Sequence, residues 1–421
     1  MNPLYNAGIA LFGGALRLAS KRSAKISEML RGQRETLASL ARIRRDVAPD
    51  GFDVWFHAAS LGEFEQGRPL MERLRREHPQ LKILLSFFSP SGYRVRRDYA
   101  GADAVVYLPL DTPANVRAFI DAAAPRKAFF IKYEFWGNYL SELRRRGIPT
   151  YIISAIFRPG QRFFRPAGRM WRRMLECFDH LYVQDEASRR LLAGIGIDRV
   201  TVAGDTRFDR VTDIMNTHKP LPAAVAELAE DQPFTLVCGS TWPPDEDLII
   251  PWFRKFPQTR LILAPHEFDS QRIAHLLERL GPEARSLSSL PAGEPLPEGC
   301  RALVIDSFGL LSSLYAVADV AYVGGGFGTG IHNINEAAVY GVPVVFGPKY
   351  QKFREAFDLI AAGAAFSVAD KAAFDSVMDR LLDDQGAREA AGKAAAGYIA
   401  RSIGATDIIF NDIFTSQTSS V

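Results

Sequence analysis

The stretch Val54-Trp55-Phe56-His57-Ala58-Ala59-Ser60-Leu61-Gly62-Glu63 carries the pattern on which the fold prediction depends. Its apolar run, Val54–Phe56, is typical of a buried strand, and the amphipathic stretch 64–77 that follows is typical of a helix. The small residues between them would let a ligand approach the backbone, and the start of the helix favours an anionic group. This segment is therefore predicted to be the first strand and helix of a βαβ unit.

The same alternation of apolar runs and helical patterns continues along the chain. In the first half, five further runs are predicted strands: Ile83–Phe87, Val105–Leu108, Ala128–Ile131, Tyr151–Ile153 and Leu181–Val183. After a polar segment that contains prolines, a second series begins, with predicted strands at Thr235–Cys238, Arg260–Ala264, Ala302–Ile305, Val320–Val323 and Val342–Phe346. The chain therefore has the pattern of two doubly wound α/β domains.

The predicted domains are an N-terminal helical region at 1–50, a Rossmann-like domain at 51–210 and a second at 211–421, whose last helix packs on either one. Ligands of open parallel sheets bind beyond the carboxyl ends of the strands. Two such domains facing each other would enclose a substrate cleft between their loops.

Composition excludes several classes of protein. Of the 421 residues, 47% are hydrophobic and 24% are charged, which excludes disorder and low complexity. The net charge of +3 argues against a nucleic-acid partner. Three widely spaced cysteines exclude a disulfide framework and a close-spaced zinc cluster.

Two segments suggest a membrane surface. Residues 1–16 are uncharged and are followed by Arg17, Lys21, Arg22 and Lys25, which predicts a helix in the membrane interface, too short to span it; an ordinary packed helix is the alternative. Residues 144–173 contain nine arginines, no Asp or Glu, and interleaved Phe163, Phe164 and Trp171. This combination favours an anionic lipid as partner, with the arginines on its phosphate and the aromatic rings inserted at the lipid interface. RNA binding or a solvated face are the alternatives.

Two carboxylates in the first half are candidate catalytic groups. Glu63, at a helix start beyond the first strand, suits a general base towards a hydroxyl, or it only complements the helix dipole. Glu134 stands beside Phe135 and Trp136 at another strand end, which suits a sugar hydroxyl or a capped helix start.

In the second half, Gly324–Gly330 does not fit the dinucleotide fingerprint, because position 329 is Thr and position 331 is Ile. Joined to His332–Glu336 and to the turn Asp306–Leu311, it predicts a nucleotide site. Asp245 and Asp247 match a metal-binding Asp-x-Asp pattern, but in a first helical turn they are predicted to be dipole partners, and no metal is expected.

These motifs, in their order along the chain, resemble the family of 3-deoxy-D-manno-octulosonic acid (Kdo) transferases. The resemblance is carried by 57–63, 134–136, 204–209, 239–241, 264–266, 306–311 and 324–336. It implies a GT-B glycosyltransferase fold and transfer of Kdo from CMP-Kdo to the lipid A precursor (lipid IVA), with inversion and without metal or cofactor. It also implies a peripheral or N-terminally anchored protein at the cytoplasmic face of the bacterial inner membrane.

The resemblance also implies roles for individual residues. Glu63 would be the general base, and Glu134 and Arg207 would line the reaction centre. CMP would be bound by Pro265, His266, Gly309, Leu310, Leu311, Asn333, Ile334, Asn335 and Glu336. The acceptor would be bound by Ser60, Gly62, Arg162, Arg165 and Arg169.

The chain departs from the family pattern at five positions: Lys132 where many members have Glu, Gly137 where they have Pro, Arg207 where they have Lys, His266 where they have Arg, and Leu310 where they have Glu. Two other functions fit the residues alone. One is a GT-B transferase or epimerase that acts on a UDP-sugar with a soluble acceptor, and the other is a non-enzymatic module that binds membranes or RNA.

Overall fold

The computed structural model describes residues 3–216, 220–230, 233–291 and 293–415. The start of the predicted N-terminal helical region, 1–2, and the end of the predicted second domain, 416–421, therefore lie outside the described residues. The chain forms two compact units. One comprises the residues up to Arg210 together with the segment from Ile403, and the other comprises Val211–Ser402.

The first unit is built on a parallel sheet of seven strands in the order β3-β2-β1-β4-β5-β6-β7. The strands are β1 Val54–Ala58, β2 Ile83–Phe87, β3 Ala104–Tyr107, β4 Ala128–Ile131, β5 Thr150–Ala155, β6 His180–Val183 and β7 Val200–Val202. The helices are α1 Pro3–Ser20, α2 Ala24–Val47, α3 Leu61–Glu77, α4 Pro90–Arg96, α5 Pro113–Ala123, α6 Gly137–Arg145, α7 Arg169–Leu175 and α8 Glu186–Ala193, then α9 Arg207–Asn216 at the boundary. Buried apolar clusters cover both faces of this sheet, as its near-continuous apolar strands require.

The N-terminal helices pack on the first unit. Tyr5 of α1 donates a 2.6 Å hydrogen bond to the buried carboxylate of Asp111, beyond β3. The outer side of α1 leaves Leu4, Leu11 and Leu18 largely exposed. None of the helices in the described part of the chain is long and apolar enough to cross a bilayer.

The second unit has a parallel sheet of seven strands in the order β10-β11-β9-β8-β12-β13-β14. Its strands are β8 Thr235–Thr241, β9 Arg260–Pro265, β10 Ala284–Ser286, β11 Ala302–Val304, β12 Val320–Val323, β13 Val344–Phe346 and β14 Ala365–Ser367. Its helices are α10 Ala223–Ala229, α11 Pro243–Lys255, α12 Ser270–Leu280, α13 Leu311–Leu314, α14 Asn335–Ala338, α15 Arg354–Ala361, α16 Lys371–Asp383 and α17 Gln385–Ser402.

The final helix, α18 Ala405–Phe410, packs against α3 of the first unit. The carboxylate of Asp209 accepts hydrogen bonds from the amides of Gly404 and Thr406 at 2.6 and 2.7 Å, which fixes the start of this helix. Asp407 pairs with Arg73 of α3 at 2.5 Å.

The prediction of two doubly wound parallel sheets is confirmed, but three strands were missed: Val200–Val202, Ala284–Ser286 and Ala365–Ser367. Each has three residues and lies at an edge of its sheet. A strand this short carries too few positions to establish a period, and an edge strand needs burial on one side only.

Candidate functional site

Glu63 lies in the first turn of α3, at the carboxyl end of β1. Its Oε2 accepts hydrogen bonds from the amides of Ala59 and Ser60 at 2.7 and 3.2 Å, so it caps the helix. Burial and, after it, the charge of Glu134 raise the pKa of Glu63 to about 7, although the two amides and the Lys132 ammonium act in the opposite direction. A carboxyl group that ionises near neutral pH is suited to take a proton from a hydroxyl.

The neighbouring carboxylate, Glu134, is buried and held by several contacts. Its Oε2 accepts a 2.5 Å hydrogen bond from the Trp136 indole and lies 3.0 Å from His57 Nε2. The other ring nitrogen of His57 lies 2.9 Å from Ser86 Oγ, on the adjacent strand. No role was predicted for His57 or Ser86, although a histidine within an otherwise apolar strand is visible in the sequence.

Lys132 follows β4 with a φ of +62°, a backbone conformation that residues other than glycine seldom adopt. Such strain persists only where surrounding contacts impose it, and it is common at functional sites. Because its ammonium lowers the pKa of Glu63, this cation acts directly on the candidate base.

Arg207 is held by Asp205, a residue that sequence analysis did not single out. Its Nε and Nη2 donate to Asp205 Oδ2 at 3.0 and 2.8 Å. Burial opposes ionisation of Asp205, but Arg207 outweighs it and lowers the pKa of the carboxyl group. Gln66 also donates to Asp205, at 2.9 Å, one helical turn after Glu63. The structure therefore ties the Arg207 segment to the helix that carries Glu63.

Ser60 and Gly62 flank the start of α3. Gly62 is exposed, and a side chain added there would meet no atom within 4 Å. The surface beside the Glu63 helix start is therefore open.

Some arginines of the segment 144–173 form ion pairs or hydrogen bonds, and others are exposed. Arg145 and Arg146 pair with Glu142, and Arg172 donates to two backbone carbonyls. The side chains predicted to bind the acceptor, Arg162, Arg165 and Arg169, are exposed and form no ion pair with any described residue.

Arg162 and Arg169 lie in different surroundings. Arg169 lines an open groove of about 800 Å³ together with Arg144 and Arg173. Arg162 instead lies over the Trp171 ring, 5.0 Å from its centroid.

The prediction that the interleaved aromatic rings insert at a lipid interface is wrong for Phe163. This side chain is 6% exposed and packs against Phe135, with ring centroids 4.8 Å apart. The Phe163 ring packs in the core between β5 and α7, because burial there removes its apolar surface from water.

In the second unit, Asp245 organises the glycine-rich loop after β12. Its buried carboxylate accepts from the Gly325 amide at 3.1 Å, the Tyr322 hydroxyl at 2.7 Å and the Trp242 amide at 2.9 Å. Gly326 approaches the next strand end so closely that a Cβ there would lie 2.6 Å from Gly347 Cα. Asp245 therefore has a structural role, and the loop requires glycine at 326.

Two of the predicted nucleotide turns meet at Glu336. Ser312, beside Gly309–Leu311, donates to Glu336 Oε2 at 3.1 Å, and Asn333 donates to Oε1 at 3.0 Å. Ile334 and Asn335 are buried. Asn335 Oδ1 has no hydrogen-bond partner in the described part of the chain, so it remains available as an acceptor.

An aromatic stack lies next to this cluster. The His266 ring stacks with Trp242 and with His332, with centroids 4.7 and 4.5 Å away and interplanar angles of 28° and 27°. The Trp242 indole also donates a hydrogen bond to His332 Nε2 at 3.4 Å. Burial and the charge of His266 lower the pKa of His332. Pro265 is buried beside the exposed His266. His332 belongs to the stretch His332–Glu336 that was predicted to be part of the nucleotide site, but Trp242 was not predicted to lie there, since flat rings far apart in sequence give no periodic signal.

No group of three or more His, Cys, Asp or Glu side chains within the described ranges is arranged to hold a metal ion. The two acids of the Asp-x-Asp pattern lie in different environments, since Asp245 is buried and Asp247 pairs with Arg279 at 2.7 Å.

Comparison with known proteins supports the motif analysis. A model of the family described as 3-deoxy-D-manno-octulosonic-acid transferase (kdotransferase) matches residues 21–210. A 3-deoxy-D-manno-octulosonic acid transferase of Bordetella pertussis is 31% identical over 385 residues, which cover 86% of this chain and 87% of that protein. The enzyme of the same name from Haemophilus influenzae is 28% identical over 84% of each chain.

Solved structures with the same fold are more distant in sequence. The UDP-GlcNAc 2-epimerase of Neisseria meningitidis bound to UDP-GlcNAc superposes with a TM-score of 0.59 at 14% identity, over 86% of this chain and all of that one. MurG of Acinetobacter baumannii superposes with a TM-score of 0.54 at 12% identity, over 86% of this chain and 99% of that one. The predicted α/β GT-B fold class is confirmed.

Proposed function

Because this chain belongs to the family of 3-deoxy-D-manno-octulosonic acid transferases, which are glycosyltransferases, we propose that it transfers Kdo from CMP-Kdo to the lipid A precursor in lipopolysaccharide biosynthesis. The observation that carries the proposal is Glu63, a carboxyl group at a strand end whose pKa is raised to about 7, mainly by burial. A hydroxyl acceptor needs such a base, because its own proton is lost only at much higher pH.

In the proposed reaction, Glu63 takes the proton of an acceptor hydroxyl as the oxygen attacks the anomeric carbon of Kdo. The bond between that carbon and the CMP phosphate oxygen breaks, and CMP leaves with the bonding electrons. Attack opposite the leaving group inverts the anomeric configuration. Glu134 and Arg207, whose contacts hold them in fixed positions, would orient the reacting groups.

The second unit would hold the nucleotide. Glu336, oriented by Ser312 and Asn333, suits the ribose hydroxyls, which donate to a carboxylate. His266 stands where the resemblance to the family leads us to expect Arg, and a histidine carries no permanent positive charge. Its place in the ring stack suggests instead a flat contact for the base. The proposal involves no cofactor, and CMP-Kdo is the donor substrate.

We further propose that the protein acts as a peripheral protein at the cytoplasmic face of the inner membrane. The exposed apolar side of α1 and the exposed arginines near α7 suit an interface between acyl chains and anionic headgroups.

The direct test is an assay of the purified full chain with CMP-Kdo and tetraacylated, bisphosphorylated lipid A precursor, with the products read by mass spectrometry. We expect the acceptor mass to rise by one or more Kdo residues and CMP to be released. CMP is expected to compete with the donor and UDP to compete poorly. If UDP competes better than CMP and the lipid is unchanged, the UDP-sugar alternative replaces this proposal.

The activity should depend on pH through Glu63. Because its carboxyl group acts as a base only when ionised, kcat/KM should rise with pH and level off above its pKa of about 7. At pH 6 we expect about a tenth of the plateau value. An apparent pKa near 4.3, the ordinary value of a glutamate, would show that the burial of Glu63 does not govern the rate.

Replacing Arg162, Arg165 and Arg169 together by alanine should weaken acceptor binding. Each exposed arginine near an anionic lipid surface contributes about 1 kcal/mol, so we expect the KM of the lipid acceptor to rise by about two orders of magnitude and that of CMP-Kdo to stay within about twofold. The matched control replaces three exposed arginines elsewhere on the first unit, Arg42, Arg45 and Arg117. Equal effects of the two triple variants would remove the specific role of the segment.

A further inference from the structure

A second groove lies on the first unit, between α1 and α2 and the loop after β3. It has a volume of about 370 Å³, within the range of about 300–1,000 Å³ that holds small ligands. Leu30, Leu37 and Leu110 contribute apolar surface, while Arg17, Gln33 and Arg34 contribute polar groups. We name it the α1–α2 groove. None of these residues belongs to the proposed reaction site.

Gln33 is the strongest indication that the α1–α2 groove takes a ligand. Its side chain is 5% exposed, and its Nε2 is buried with no hydrogen-bond partner in the described part of the chain. Leaving such a group unpaired is costly, because it has lost its water and gained nothing in return. A ligand oxygen within the groove would satisfy it.

The charge of the α1–α2 groove is of one sign. Arg17 and Arg34 are both exposed at it, and neither forms an ion pair with any described residue. No Asp or Glu is among its lining residues. Lys21 and Arg22 in the turn between the two helices, and Lys25 in the first turn of α2, add positive charge near it in sequence, although they do not line it. This arrangement complements an anionic group and not a zwitterionic or neutral one.

The walls of the α1–α2 groove also decide between a soluble anion and an amphiphile. The three leucines provide more apolar surface than the binding of a phosphate alone requires. In addition, α1 exposes a second set of apolar side chains to solvent, Leu4, Leu11 and Leu18. An acyl chain is the ligand group that such surface suits.

We propose that the α1–α2 groove binds one anionic phospholipid of the bilayer. Its phosphate lies at Arg17 and Arg34, a glycerol ester oxygen accepts from Gln33, and the first part of an acyl chain lies on the three leucines. This is a lipid site of its own, separate from the acceptor-binding arginines near α7.

The test measures binding of palmitoyl lysophosphatidylglycerol to the purified full chain, below the micellar concentration, by native mass spectrometry and titration calorimetry. Palmitoyl lysophosphatidylcholine tests the requirement for net negative charge, and glycerol 3-phosphate tests the head without the chain. The variants are R17Q/R34Q in the groove and R42Q/R45Q, two exposed arginines further along α2, as the matched control.

We expect one molecule of lysophosphatidylglycerol per chain, with affinity lowered roughly tenfold or more in R17Q/R34Q and unchanged in R42Q/R45Q. Gln33→Leu should weaken binding about fivefold without lowering the Tm of the free protein, because it removes an unpaired buried amide. Equal affinity for lysophosphatidylcholine or for glycerol 3-phosphate, or no loss in R17Q/R34Q, would overturn the proposal. The measurement contains neither sugar donor nor acceptor, so its result is independent of the proposed transferase activity.

Discussion

Glu63→Gln is expected to lower kcat for Kdo transfer by about a hundred- to ten-thousand-fold, the range that a positioned general base contributes. The glutamine amide cannot take up the proton of the acceptor hydroxyl. Its carbonyl oxygen can still accept from the amides of Ala59 and Ser60, as Glu63 does at 2.7 and 3.2 Å, so the cap of α3 is retained. CMP binding and Tm should therefore remain close to those of the unaltered protein.

The control for this variant is Glu65→Gln on the same helix. Glu65, two residues further along α3, pairs with Arg68 and Arg96, so its loss removes a carboxylate charge from α3 without altering the proposed base. Its kcat should change by less than about twofold, since partly exposed ion pairs contribute little. Retention of a substantial part of the turnover by Glu63→Gln would exclude Glu63 as the base, whatever the control shows.

Gly326→Ala is expected to abolish measurable CMP binding and to destabilise the protein by about 1–3 kcal/mol, the usual cost of overpacking. A methyl group at this position would meet Gly347 Cα at 2.6 Å and two further backbone atoms at 2.7 Å. Backbone atoms cannot rotate away as a side chain can. The strand-end loops after β12 and β13 would therefore have to separate, which displaces the loop proposed to receive the nucleotide.

The same loop provides the comparison. A Cβ at Gly328 would have the Gly325 carbonyl oxygen as its nearest neighbour, at 3.4 Å, which is an ordinary contact. Gly328→Ala should thus retain CMP binding within about threefold and the Tm within about 2 °C, since it creates no overlap. Calorimetric titration with CMP and thermal unfolding measure both variants. Similar behaviour of Gly326→Ala and Gly328→Ala would show that close approach of the two loops does not determine the nucleotide site.

Most of the fold was predictable because its strands are buried on both faces. β4 is a continuous apolar run, and β1 and β2 are apolar except at His57 and Ser86; such runs between amphipathic stretches are typical of parallel sheets covered by helices. The three missed strands mark the limit of this reasoning. At a sheet edge a strand of three residues owes its conformation to hydrogen bonds from its neighbour, which local composition does not encode.

The candidate site was predictable only in part. Turns at strand ends drew attention to Glu63, Glu134 and the Gly324–Gly330 loop, since ligands of parallel sheets bind there. The residues that hold these groups were not found in advance. In the sequence Asp205 looks like a further turn residue, yet its carboxylate accepts hydrogen bonds from Arg207 and from Gln66 of α3. Asp245 reads as a helix-dipole partner, yet it binds the Gly325 amide.

The amino-acid sequence by itself determined the two doubly wound sheets, the turns at which polar side chains collect and the family to which the chain belongs. These depend on periodicity and local turn chemistry, which short stretches contain. Only the tertiary structure decided how those side chains behave. The pKa of Glu63 depends on burial and on Glu134, and the unpaired amide of Gln33 depends on how α2 packs beside the loop after β3. Burial and charge act between groups that are close in space, and folding alone brings such groups together from distant parts of the chain.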